Sequence, residues 1–316
     1  MEDKVRVRNK IDLLNSKEMS DEWLAKQRLR HEKPDLFGLK STGLKTLDKK
    51  LGGGIEKGQL VYVGGQEKSG KTTLLTTMAN AFGIQALNGV MLSAEMTNLQ
   101  MGNLLFSNLG NVERTTIRSI QVNALQWDML DKAGKKIEKL TFHWGYGFSS
   151  IEDIDAVLLA VEEKTEKPVE VLILDYLQLM EVENKRMPRT QEIEYISRSL
   201  KRRSIARGNP MMIIAATQLN RESIRSKLYD AQSFLGSGAI ERDMDIGMIV
   251  TNVENPLSVN KIMDNKKKIV IVGSRETEVG EPLEVYYDGS KARMADIDEG
   301  KTIDIYKQYQ SQKGAI

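Results

Sequence analysis

The residues Gly65-Gln66-Glu67-Lys68-Ser69-Gly70-Lys71-Thr72 complete the pattern G-x-x-x-x-G-K-[ST], whose chemistry is the cradling of a phosphate chain. Glycines let the backbone curl so that successive N–H groups point at phosphate oxygens with no side chain in the way. Thr73 opens the segment behind the loop, where a helix would present free N–H groups and its positive dipole end to the same anion. Lys71 is then placed to reach the β- and γ-phosphates, and the Thr72 hydroxyl to ligate Mg²⁺. Binding of ATP or another nucleoside triphosphate with Mg²⁺ follows, with Gly65 through Thr73 as the contact set.

Three more polar residues stand where apolar runs end. Val171-Leu172-Ile173-Leu174-Asp175 is an apolar strand closing on a carboxylate. Open α/β sheets place ligands at the carboxyl ends of their strands, so Asp175 is expected beside the phosphate loop, holding Mg²⁺ through a water. Glu95 closes Val90-Met91-Leu92-Ser93-Ala94; it either polarises the attacking water or only caps the next helix. Gln218 follows Met211 to Ala216 and is a candidate hydrogen-bond partner for the γ-phosphate.

The elements that must position these residues alternate along the chain. Gln59 to Gly64 reads as a strand, and Thr73 to Phe82 as a helix with Leu74, Leu75, Met78 and Phe82 on one face. A strand at 89–94, a helix at 97–109, an amphipathic region at 122–140 and a strand at 140–144 follow. Ser150 and Asp153 form a capping-box pattern ahead of a helix lined by Ile151, Ile154, Val157, Leu158 and Val161. The most apolar strand, 169–174, suits the centre of a parallel sheet. A helix at 190–207 and a strand at 211–216 come next. Strands at 247–251, 268–272 and 283–287 have no helices between them, which predicts antiparallel strands extending a parallel core. Near the N-terminus, Ser20 is expected to cap a helix over Asp21 to Glu32, with Trp23 and Leu24 as a small apolar spot. That segment either docks on something or stays a loose tail. Lys266-Lys267-Lys268 reads as charge on a strand edge.

At 316 residues, with 40% hydrophobic and 28% charged residues, the chain can bury a sizeable α/β core. A net charge of +2 neither demands nor excludes nucleic acid. With no cysteine, disulfides, thiolate metal sites and cysteine nucleophiles are excluded, and His31 and His143 alone make a zinc site a poor reading. There is no apolar run of membrane-spanning length and no signal-peptide pattern, so the expectation is a cytoplasmic protein with no membrane partner.

Several segments carry a family resemblance. Leu174-Asp175-Tyr176-Leu177-Gln178-Leu179-Met180 is similar to the Walker B segment of DnaB-type replicative helicases. Ser93-Ala94-Glu95-Met96 resembles that family's segment with the catalytic glutamate, and Thr217-Gln218-Leu219-Asn220-Arg221 its sensor motif. The helix around Ile196-Ser197-Arg198-Ser199-Leu200-Lys201 and the segment Ser237-Gly238-Ala239-Ile240-Glu241 with Asp243 and Asp245 fit as well. The resemblance runs from about Ser41 to Asp288.

It implies a RecA-like P-loop NTPase core, α/β, with a mostly parallel sheet flanked by helices. It implies further a ring, usually a hexamer, that moves on single-stranded DNA by ATP hydrolysis during replication. Glu95 becomes the general base, Asp175 the Mg²⁺ carboxylate, Gln218 the γ-phosphate sensor, and Arg275 an arginine finger offered to the neighbouring subunit. DNA contacts are expected from Lys185, Arg186 and Arg189 after Walker B, and from Arg221, Arg225 and Lys227 after the sensor strand. Both segments read as loops by composition, and a solvated basic loop is the plain alternative. A primase or a helicase loader is a further implied partner.

The chain departs from the family at several points. Gly273 stands where the family usually has lysine, Leu235-Gly236 where it commonly has Arg-Glu, and Glu67-Lys68-Ser69 is closer to RecA recombinases. With only some forty residues ahead of the motor, the expectation is a form without the large N-terminal domain of full-length DnaB proteins, as in a compact phage or plasmid version acting in a bacterial cytoplasm or an infected host. The expected organisation is an extension at 1–38 reaching a neighbouring subunit, a motor at 39–300 and a tail at 301–316. A RecA- or RadA-like recombination ATPase without unwinding activity is the alternative, followed by a KaiC-like scaffold ATPase and a motor-derived adaptor.

Overall fold

The computed structural model describes residues 15–34, 38–182, 186–206, 208–254, 262–277 and 279–298. The expected tail at 301–316 lies outside them. The chain separates into two units, 1–39 and 40–316.

In the first unit α1 spans Ser16–Glu32 and starts earlier than expected. The Asn15 side chain accepts from the Lys17 and Glu18 N–H groups, and the Glu18 carboxylate accepts from the Asn15 N–H at 2.8 Å. This reciprocal box outcompetes a start at Ser20 because it satisfies orphan donors from both sides. None of the helix's residues is buried, and Trp23 is among its exposed apolar side chains.

The second unit opens with α2 (Lys45–Lys50), β1 (Leu60–Gly65), α3 (Lys71–Ile84), β2 (Gly89–Ser93) and α4 (Asn98–Gly110). It continues through α5 (Arg114–Arg118), α6 (Ala124–Ile137), β3 (Phe142–Tyr146), α7 (Ile151–Thr165) and β4 (Val171–Asp175). Then come α8 (Arg189–Ser204), β5 (Met212–Thr217), α9 (Arg221–Ser226), α10 (Ser237–Asp243) and β6 (Ile246–Glu254). The last strands are β7 (Ile262–Ser274), β8 (Leu283–Asp288) and β9 (Arg293–Asp296).

The strands form one nine-stranded sheet in the order β3-β2-β4-β5-β1-β6-β7-β8-β9. It is parallel from β3 to β6 and antiparallel from the β6–β7 pair onward. The expected architecture is therefore present: a mostly parallel sheet among helices, lengthened by antiparallel strands. One strand moves across the boundary. Residues 247–251, expected among the antiparallel strands, lie in β6, which pairs parallel with β1. The β5–β6 connection carries α9 and α10, and so is long enough for the crossover a parallel pair needs.

Both sheet faces are covered, which explains the near-continuous apolar runs. Leu60 and Tyr62, Leu172 and Leu174, and Ile213 and Ala215 join Ile154, Leu158, Ile193 and Ile196 of α7 and α8. Their alternates Val61 and Val63, Val171 and Ile173, and Met212 and Ile214 join Leu74, Leu75, Met78 and Phe82 of α3.

The run Lys266–Lys268 is not on an edge. It lies in β7, between β6 and β8. Its charge is absorbed there: Lys267 is buried, with Nζ 2.5 Å from Asn252 Oδ1 and 4.6 Å from the centre of the Tyr287 ring, and Lys266 pairs with Glu284. The expected extents of the remaining strands and helices shift by a few residues at their ends. The short elements α2, α5 and β9 have no counterpart in the sequence expectation.

Candidate functional site

β1 runs straight into the turn that α3 closes. Gly65 leaves no room for a side chain, since a Cβ there would meet Ser69 Oγ and stand 2.8 Å from Val250 O. Gly70 has φ +106°, a left-handed conformation that a side chain disfavours, and it faces the Tyr287 ring. The Ser69 hydroxyl is buried without a hydrogen-bond partner. Lys71 Nζ donates to Gly65 O at 2.9 Å and Gln66 O at 3.0 Å. Burial pulls the Lys71 pKa down, while the charges of Asp175, Glu95 and Glu67 resist.

Thr72 Oγ1 donates to Asp175 Oδ2 at 2.7 Å, joining the first turn of α3 to the end of β4. Asp175 is 1% exposed, and burial raises its pKa; the Thr72 hydrogen bond works against that rise, the Glu95 charge adds to it, and Lys71 lowers it. β2 is the neighbour of β4, so Ala94 N–H reaches Asp175 O at 2.8 Å and Glu95 follows directly. Glu95 does not cap α4. That cap is Thr97, boxed with Gln100. Gln218 follows β5, and its N–H donates to Gln178 Oε1 at 3.1 Å, while Gln178 Nε2 donates to Thr217 Oγ1 at 2.6 Å.

These groups line one cavity of about 380 Å³ that includes Glu67, Lys68, Gly70, Lys71, Thr72, Thr73, Glu95, Asp175 and Gln218. Gly65 and Gln66 contribute the carbonyls that hold Lys71, and Ser69 sits behind the loop. Arg114, Tyr176, Tyr287 and Gly289 complete the wall and were not expected. Tyr176 was legible as the neighbour of Asp175. Arg114 opens α5 and Tyr287 lies in β8, segments without a motif, and only the folded sheet brings them here.

The donor set fits a Mg²⁺–nucleoside triphosphate. A glycine-shaped cradle, a half-buried ammonium bonded to carbonyls, an unpartnered buried hydroxyl and a hydroxyl–carboxylate pair are what a phosphate chain and a hard cation require.

The other expected residues lie elsewhere. Arg275 follows β7, whose Ser274 pairs with Ile246, the first residue of β6; the phosphate loop is at the other end, where Gly65 pairs with Val250. Arg275 is therefore outside its own chain's cavity. Its Nη2 donates to Arg242 O at 2.8 Å and its Nε to Met244 O at 3.2 Å. The glycine at 273 has a local reason, since a Cβ there would stand 2.6 Å from the Met244 methyl.

Of the basic residues, Lys185 lies outside the described residues, and Arg186 is exposed beside that segment. Arg189 is not on a loop. It is the first residue of α8, and its guanidinium donates to Met180 O at 2.8 Å, Gln178 O at 2.7 Å and Glu192 at 2.5 Å. Arg221 and Arg225 lie on α9, a helix where a loop was expected, because Asn220 caps it through Ser223 N–H. Both are exposed. Lys227 follows α9 and is paired with Glu254, whose hydrogen bond raises its pKa.

A phosphate loop after the central strand of a mostly parallel sheet, with carboxylates at neighbouring strand ends, defines a RecA-like nucleotide-binding domain. Residues 38–296 match the family model described as DnaB-like helicase C terminal domain, and the chain belongs to that family. The replicative DNA helicase DnaB of Treponema pallidum (strain Nichols) is 30% identical over 239 residues, covering 74% of this chain and 52% of that protein. The chain thus spans about half the length of that relative. Among solved structures, one described as an ATPase domain superposes with a TM-score of 0.75 at 22% identity, covering 88% of this chain and 98% of its own. A DnaB-like replicative helicase described with its interactions with primase gives 0.74 at 22% identity, covering 87% and 66%. Those two likenesses establish the fold. The family match does not favour the recombination ATPase.

Proposed function

We propose that the chain is the ATP-hydrolysing motor of a ring-forming replicative DNA helicase, acting on single-stranded DNA in the cytoplasm of a bacterium or an infected host. The observation that carries this reading is the convergence of Lys71, Thr72, Asp175, Glu95 and Gln218 on one cavity of a DnaB-like domain.

On this reading Lys71 leaves its two carbonyls for the β- and γ-phosphates. Thr72 and Asp175 hold Mg²⁺, which when bound neutralises charge on the phosphoryl oxygens. Glu95 accepts the proton of the attacking water. Gln218 senses the γ-phosphate, and its link through Gln178 ties the sensor to the segment that Arg189 braces. Arg275 cannot serve its own cavity, which supports a role in the neighbouring subunit's site; a finger supplied in trans is worth about 10³- to 10⁵-fold in rate. A homo-oligomeric ring, with six subunits as the expected number, belongs to this reading, and the place of Arg275 outside its own cavity supports it. Arg186, Arg221 and Arg225 are the basic residues offered to the DNA backbone. Residues 1–38, with the unburied α1, link neighbouring subunits, and a primase or loader is the further partner.

Steady-state ATP hydrolysis with and without single-stranded DNA, beside unwinding of a forked duplex, tests the reading. The expected result is stimulated hydrolysis and an opened fork, both lost in Glu95→Gln and Arg275→Ala. Stimulated hydrolysis with a closed fork would replace it with a DNA-dependent ATPase that does not unwind.

A further inference from the structure

Arg275 does not wave freely from the end of β7. Two carbonyls, Arg242 O and Met244 O, take its Nη2 and Nε, and Asp245 Oδ1 lies 3.5 Å from Nε. The Arg275 N–H also donates to Asp245 O at 3.0 Å, so one residue holds both backbone and side chain. The guanidinium is anchored along one edge, while the side chain remains 55% exposed.

The seat itself is fixed to the strand that carries the phosphate loop. Asp245 Oδ2 accepts from Leu60 N–H, the first residue of β1, at 2.7 Å, and from Lys201 Nζ of α8 at 2.5 Å. Two residues earlier, Asp243 Oδ2 accepts from Ser197 Oγ at 2.8 Å, and Ser197 Oγ accepts from the buried Tyr62 hydroxyl of β1 at 3.0 Å. Residues 242–245 are thus clamped to β1 at two points. A charged group that must act at another molecule's reaction centre gains rate from being held in place beforehand, because a long side chain otherwise loses rotamer freedom on reaching that centre. A carboxylate needed only to start β1 would have no reason to lie beside this arginine as well.

We propose that Asp245 is the positioning residue for Arg275, holding the finger at the angle at which it enters the neighbouring subunit's nucleotide site. The assignment rests on the reading of Arg275 as a finger acting in trans. Asp245 is not among the residues that line its own chain's cavity, which lies at the opposite end of β1.

The test is hydrolysis by assembled protein on single-stranded DNA, with subunit mixing. Asp245→Asn is expected to lower kcat about tenfold while the KM for ATP stays within about twofold, the signature of a contribution made only in the transition state. Mixed with Lys71→Ala, which keeps a sound finger but has a dead loop, Asp245→Asn should regain hydrolysis above either parent. Intact loops then meet intact fingers at some interfaces. A merely structural Asp245 would weaken the phosphate loop of its own chain, so KM would rise and mixing would restore nothing; that result overturns the proposal. Lys201→Met cuts the tie to α8 but leaves the carboxylate beside Arg275, and it should keep most of kcat. A roughly tenfold loss of kcat in Lys201→Met would make the cluster a strut and overturn the assignment, a criterion that holds even if Asp245→Asn fails to fold. Mixing Arg275→Ala with Lys71→Ala separates the two levels: silence in that mixture removes the finger reading itself, whatever Asp245 does.

Discussion

Asp175 and Lys71 share a cavity in which burial works against both charges, raising the one pKa and lowering the other. The unliganded domain holds this tension for its ligand. An acid whose folded pKa is raised contributes stability on the acid side, and that contribution is lost as pH rises through the window between its unfolded and folded values. At neutral pH the Asp175 carboxylate therefore weakens the empty domain. Asp175→Asn is expected to raise the melting temperature without nucleotide by a few degrees, while removing Mg²⁺-dependent nucleotide binding. Thermal melts with and without Mg²⁺–nucleotide check both halves. A second consequence concerns Glu95, whose charge adds to the rise at Asp175. Titrating Mg²⁺-dependent nucleotide affinity against pH should show an acid limb, as Asp175 takes up a proton. In Glu95→Gln that limb should move to lower pH; an unmoved limb would separate the two carboxylates.

The helices show two ways of starting, one visible in the chain and one not. α7 begins with Ser150 and Asp153 capping each other, both written within one turn of sequence. α2 has no cap of its own, because Leu44 occupies the position. Asp296 of β9 supplies it from the far end of the chain, accepting from Lys45 N–H at 2.8 Å and Thr46 N–H at 3.1 Å. Asp296→Ala should therefore cost about 1–2 kcal/mol, comparable to Ser150→Ala, although no local pattern marks it. Chemical denaturation of the two variants makes the comparison. Arg189 belongs at this scale too. Its bonds to Gln178 O and Met180 O brace the segment after β4 against the start of α8. These bonds give Arg189 a structural part beside the DNA role proposed for the segment after β4.

For the whole molecule, the sheet sorts its chemistry by strand end. The phosphate loop, Glu95, Asp175 and Gln218 lie at the carboxyl ends of parallel strands, while Arg275 leaves at the opposite end of the sheet's strands. On the proposed reading, that separation suits an arginine that serves a second copy of the chain. The basic groups that follow β4 and β5 are offered on the loop side. Arg221→Ala and Arg225→Ala should each reduce the slope of log affinity for single-stranded DNA against log salt by about 0.7. Lys227→Ala should reduce it less, since Glu254 already neutralises that charge. Binding isotherms at several salt concentrations decide it.

The parts whose physics is local could be read from the chain alone. A glycine-framed turn before a helix, an apolar strand closing on Asp175, and reciprocal caps are contacts between residues a few positions apart, so their spacing is their structure. Parallel strands were legible too, because burial on both faces leaves uninterrupted apolar runs. Contacts whose partners lie far apart in the chain emerge with the folded sheet. Tyr287 and Arg114 enter the cavity because β8 and α5 fold over the loop. β6 joins the parallel strands because its hydrogen bonds go to β1 and not to β7 alone. Lys267 loses its solvent to Tyr287 and Asn252, and Asp245 meets Leu60, Lys201 and Arg275 at once. None of these carries a spacing, since the sheet order that creates them is set by which strands can cover both faces of one core.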